Sequence, residues 1–100
     1  PGAEMRRAAK IDTNQPAIVA AFRKIGATVQ VLSAVGKGCP DTIVGYRGKN
    51  IFLEIKDGEL APSKQKLTAD QVNWHAKWGG QVCVANSIKD AVEKVIREAV

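Results

Sequence analysis

The segment from Asp41 to Lys56 constrains this chain more than any other. Two alternating runs, Asp41-Thr-Ile-Val-Gly-Tyr46 and Asn50-Ile-Phe-Leu-Glu-Ile-Lys56, flank Arg47-Gly48-Lys49 and predict a β-hairpin. On the second run Ile51, Leu53 and Ile55 share a face that suits a core, whereas Glu54 and Lys56 share the opposite face. If Gly48-Lys49 forms a two-residue turn, Arg47 pairs with Asn50. Asp41 then falls opposite Lys56 and diagonal to Glu54. A three-residue turn would move Asp41 to the wrong face unless a bulge intervened.

Two carboxylates and a lysine at one end of a hairpin have a specific chemistry. Neighbouring carboxylates resist joint ionisation unless a cation lies between them. All-oxygen donors suit Mg²⁺ or Mn²⁺, and the Ile55 backbone carbonyl offers a further oxygen. A lysine beside such an ion can orient water and stabilise charge developing on phosphorus. The competing reading is structural: Asp41 as a turn residue after Pro40, and Glu54 with Lys56 as a solvated ion-pair face.

The remaining elements follow from periodicity and capping. A helix is expected from Asp12 or Thr13 to Gly26, with Pro16 in its first turn and Ile18, Phe22 and Ile25 on one face. Thr28-Val-Gln-Val-Leu32 reads as a strand, Gly36-Lys37-Gly38-Cys39-Pro40 as a loop, and residues 57–67 as a polar loop. Thr68 and Gln71 have capping-box spacing for a helix ending at Gly79-Gly80. Gln81–Ala85 is a strand. Ser87 caps a last helix whose inner face is Ile88, Val92, Val95, Ile96 and Ala99. The order αβββαβα predicts an α/β fold: a mixed central sheet flanked by helices, with a C-terminal helix.

One hundred residues suit a single domain over 12–100, preceded by a basic arm at 1–11 carrying Arg6, Arg7 and Lys10. Residues 1–4 before Met5 read as a cloning remnant, with Met5 as the natural start. The net charge of +5 favours a polyanionic partner. Two remote cysteines and one histidine argue against a disulfide scaffold, a zinc finger or a His-metal nuclease, and point to a reduced cytoplasmic setting. No apolar run is long enough to predict a membrane span, and no organic cofactor is implied. The glycine loop at 36–38 is too short and wrongly placed for a P-loop.

Gly38-Cys39-Pro40-Asp41 followed by Glu54-Ile55-Lys56 resembles the PD-(D/E)xK nuclease signature. With Asp12-Thr13-Asn14-Gln15 before it and Leu67-Thr68-Ala69-Asp70-Gln71 after it, residues 12–95 look like a stand-alone VRR-NUC domain of the phage and bacterial type. The resemblance implies a restriction-endonuclease-like αβββαβ core. It also implies Asp41, Glu54 and the Ile55 carbonyl as metal ligands, and Lys56 as the catalytic lysine. Relatives often place a glutamate three residues before a glutamine on the first helix; here that position is Asp12, with Asn14 competing and a plain N-cap as the structural alternative for Asp12.

Gln71 shares a stripe with Leu67, Trp74 and Trp78, so the resemblance places it beside the active site, while its spacing also suits the Thr68 capping box. Trp74 and Trp78 are read as core or dimer packing ahead of base stacking, and His75 as exposed. Lys37, Lys64 and Lys66, with Arg6, Arg7 and Lys10, are candidate phosphate contacts. The implied activity is a Mg²⁺- or Mn²⁺-dependent endodeoxyribonuclease. The expected form is a homodimer acting on Holliday junctions or other branched DNA, in a bacterial or phage-infected cell. Nicking of flaps or duplex ends, and an inactive DNA-binding module, are the alternatives.

Overall fold

The computed structural model describes residues 11–100, so the arm carrying Arg6, Arg7 and Lys10 lies outside the described residues. The elements keep the predicted order: α1 (Gln15–Lys24), β1 (Thr28–Val31), β2 (Thr42–Tyr46), β3 (Lys49–Ile55), α2 (Ala69–Lys77), β4 (Val82–Ala85) and α3 (Ile88–Glu98). A turn of 3₁₀ helix at Pro62–Lys64 interrupts the stretch expected to be a plain polar loop. The sheet order is β1-β2-β3-β4, antiparallel through the first three strands and parallel between β3 and β4. That parallel pair requires a crossover, and α2 lies on it. The mixed sheet with flanking helices is the expected fold class.

The hairpin turn differs from expectation by one position. Tyr46 pairs with Lys49, so the turn residues are Arg47 and Gly48, both left-handed at φ 51° and 79°. Such a turn favours glycine at its second central position, which Arg47-Gly48 supplies and Gly48-Lys49 would not. The even register survives, so the faces are as predicted. Continuing it past Thr42↔Leu53 sets Asp41 opposite Glu54 rather than opposite Lys56.

Ile51, Leu53 and Ile55 are no more than 1% exposed and meet Ile18 and Phe22 of α1 and Ala91 and Val95 of α3 in one core. Burying each large aliphatic side chain stabilises the fold by about 1.5–3 kcal/mol. Two helix faces bury less of their length than predicted, although Ile18, Phe22, Val95 and Ala99 are in the core as expected. Ile25 and Ile88 are exposed at their helix ends, and α3 seals the core with Ala91, Val95 and Ala99. Small residues there let α3 lie close to the sheet. Asn14, not Asp12 or Thr13, is the N-cap of α1, so the helix starts later than predicted and Asp12 precedes it.

Candidate active site

The site forms where the C-terminal end of β3, the loop after β1 and the first turn of α2 meet. A cleft of about 370 Å³ there is lined by Asp12, Lys37, Cys39, Glu54, Lys56, Lys64, Lys66 and Gln71, among others. Gly36, Lys37 and Gly38 are consecutively left-handed, at φ 74°, 57° and 85°. A side chain at Gly38 would land on the Asp70 carbonyl in the first turn of α2. Glycine thus lets the loop seat against that helix and leaves Lys37 exposed on the cleft wall.

Asp41 and Glu54 are 4% and 2% exposed, far less than isolated carboxylates usually are. The Ile55 N–H donates to Asp41 Oδ2 at 2.7 Å, an interaction that takes the place of a ladder bond at the end of the hairpin. The register opposes Ile55 to Pro40, which has no N–H, so the ladder offers its carbonyl no donor there. Glu54 Oε2 accepts from Gln71 Nε2 at 3.1 Å, whereas Oε1 is buried with no donor among the described residues. Burial first, and then the hydrogen bond to Asp41 and its negative charge, push the Glu54 carboxyl up to about 9. Lys56 opposes that rise, and Asp12 adds to it.

Gln71 links the acid to the lysine. Its Oε1 accepts from Lys56 Nζ at 2.9 Å and from the Thr68 N–H at 2.9 Å, while its backbone N–H donates to Thr68 Oγ1 at 3.2 Å. The capping box and the site contact therefore coexist in one side chain. Helix capping orients the amide, and the amide orients Glu54 and Lys56.

The two first-helix candidates separate. Asp12 lines the cleft; Asn14 instead donates to the Lys56 carbonyl at 3.0 Å and the Asn86 carbonyl at 3.4 Å, bracing the end of β3. Among the described residues no three His, Cys, Asp or Glu side chains form a group able to hold an ion. A metal here would rest on the Asp41–Glu54 pair and backbone oxygen.

Sequence reading missed three features. Cys39 lines the cleft; burial, then Glu54, then Asp41 raise its thiol above the ordinary value, which keeps it protonated. Its place between the loop glycine and Pro40-Asp41 was the available signal. Gln15 is 4% exposed, with Nε2 donating to Ser33 Oγ at 3.4 Å and Oε1 without a donor among the described residues. Its spacing from Ile18 and Phe22 marks it as inward-facing. His75, expected to be exposed, is half-buried with Nε2 lacking a partner among the described residues, and burial followed by the Lys56 charge lowers its pKa.

No protein-family model matches the chain, and no curated protein matches it. A solved structure described as a VRR_NUC domain is similar to it at 29% identity and a TM-score of 0.62, covering 86% of this chain and 92% of that one. No helix among the described residues is long and apolar enough to cross a membrane. The order of the strands and helices, together with this likeness over nearly the full length of both chains, identifies the fold as that of a VRR-NUC nuclease-type domain.

Proposed function

We propose that the protein is a metal-dependent endonuclease that hydrolyses DNA phosphodiester bonds, with Asp41, Glu54, Lys56 and Gln71 as its working residues. One observation carries this reading. Glu54 is buried against a second carboxylate, one of its oxygens has no donor among the described residues, and lysines wall the open cleft it lines. A buried acid in that state is costly unless a proton or a cation relieves it. An all-oxygen donor set fits Mg²⁺ or Mn²⁺. Asp41, Glu54 and the Ile55 carbonyl would hold the ion, and Asp12 lines the same cleft.

When bound, the ion supplies Lewis acidity that makes water a better nucleophile and offsets phosphate charge. The chain's own residues do the rest. Gln71 holds the Lys56 ammonium at 2.9 Å on the cleft side, where it can orient the attacking water and donate to a phosphate oxygen. Lys37, Lys64 and Lys66 line the same cleft and offer contacts to flanking phosphates.

The preferred substrate on this reading is branched DNA, cut by a homodimer. An exposed apolar strip supports self-association: Ile11 and Val31 line one depression beside the edge strand β1, and Val35 lies exposed just beyond it. The test is cleavage of junction, flap and linear duplex DNA with Mn²⁺, with Mg²⁺ and with EDTA, alongside elution mass. Asp41→Ala and Lys56→Ala are each expected to reduce cleavage by about a hundredfold or more without unfolding the protein. Full Mn²⁺-dependent cleavage by Lys56→Ala would overturn the assigned mechanism.

A further inference from the structure

Trp74 and Trp78, equivalent by sequence spacing, have different surroundings. Trp74 is partly buried and meets Phe52 edge-on, with centroids 5.1 Å apart and planes at 68°. Trp78 stacks on Trp74 at 4.6 Å and 12°, and meets Phe52 at 4.8 Å and 80°. It nevertheless remains 45% exposed. Trp74 covers one face of the Trp78 indole, and Phe52 and Gly80 bound its edges. A Cβ at Gly80 would come within 3.0 Å of the indole Nε1. The exposed area therefore belongs to the second face and rim of a ring already held rigid by its first.

That ring lies on the same side of the sheet as the cleft. Phe52 lies two residues before Glu54 on the same face of β3, Trp74 follows Gln71 by three residues on α2, and Trp78 is the extended C-cap of that helix. We infer that the outer face of Trp78 is a stacking platform for an unpaired nucleobase of the DNA strand held in the cleft. This rests on the nuclease reading for the identity of that strand. Every base presents a π face, and a rigid indole can bind it with little ordering cost. Charge favours a polyanionic occupant. The net charge of +5 attracts a phosphodiester strand, and Lys56, Lys64 and Lys66 line the cleft that would hold it. The platform selects strands with unpaired bases next to the scissile bond, because a paired base has its faces already stacked.

Fluorescence anisotropy of labelled oligothymidylate and of an abasic strand of equal length, both in EDTA, tests this without any cleavage. Wild type should bind oligothymidylate about tenfold more tightly than the abasic strand. Trp78→Leu keeps apolar bulk against Trp74 and Phe52 but removes the stacking face, and should bring the two affinities together. Trp78→Phe should restore most of the difference. Equal binding of both strands by wild type, or an undiminished preference in Trp78→Leu, overturns the proposal. So does a dimer that Trp78→Leu converts to monomer while base preference persists, since the face would then be a self-association contact. Mn²⁺-dependent cleavage without base preference removes the platform and leaves the nuclease reading standing. Base preference without cleavage does the reverse.

Discussion

The two faces of β3 are built from alternate residues of one strand, yet they are held together in opposite ways. On one face Ile51, Leu53 and Ile55 disappear into a core closed by α1 and α3. On the other, Phe52, Glu54 and Lys56 meet α2 and its C-cap through an aromatic cluster and one glutamine. The first face gains free energy from burial. The second gives some up by burying a carboxylate beside another carboxylate and leaving one oxygen without a donor. A site this unfavourable persists because the strand beneath it is fixed from the other side.

Breaking the supporting face should have the largest effect. Leu53→Ala removes a fully buried side chain at the centre of the sheet and should cost about 2–5 kcal/mol in urea unfolding, with cleavage lost in proportion to the folded fraction. A cost below about 1 kcal/mol would mean that the core does not carry the sheet.

Glu54→Gln sharpens the contrast from the other side. It should abolish cleavage yet stabilise the metal-free protein by about 1 kcal/mol near neutral pH, a Tm rise of roughly 5 °C. Because the folded carboxyl is raised from an ordinary value near 4.5 to about 9, the folded state retains a proton that the unfolded chain releases. The associated stability is complete below about 4.5 and is lost as pH rises through about 9. Metal-free wild type should therefore melt at falling temperatures from pH 5 to 9, and Glu54→Gln should flatten that slope. Added Mn²⁺ should raise Tm more at pH 8 than at pH 6, since the ion displaces that proton. A wild-type slope of the opposite sign would remove Glu54 as its source.

The smallest effect is expected at the joint between the faces. Thr68→Ala deletes the side-chain half of the capping box and should cost about 1 kcal/mol. It should also lower cleavage severalfold, because the amide that orients Glu54 and Lys56 loses its anchor at the helix start. Lost stability with unchanged cleavage would separate capping from the site.

Much of this was legible in the residue order. Side-chain parity over 50–56 assigned the faces of β3, and Thr68 with Gln71 marked the start of α2. Both are local patterns, set by a strand's period of two and by a helix's orphan N–H groups. The turn position was harder to read, since Arg47-Gly48 and Gly48-Lys49 both give an even register, and the choice depends on which residue takes a left-handed conformation. The exposed Ile25 and Ile88 were misread for a different reason. Periodicity names an apolar stripe but not how far along a helix its partners extend.

The sequence by itself determined that Asp41, Glu54 and Lys56 could converge, because side-chain direction along a strand follows from parity alone. Only the tertiary structure decided that Asp41 opposes Glu54 rather than Lys56, that one Glu54 oxygen is left without a donor, and that Asp12 rather than Asn14 lines the cleft. It also decided which tryptophan keeps an open face. Those outcomes depend on what packs against each residue from elsewhere in the chain. Burial and pairing across long sequence separations have no local signature, and a carboxylate's chemistry is set by both.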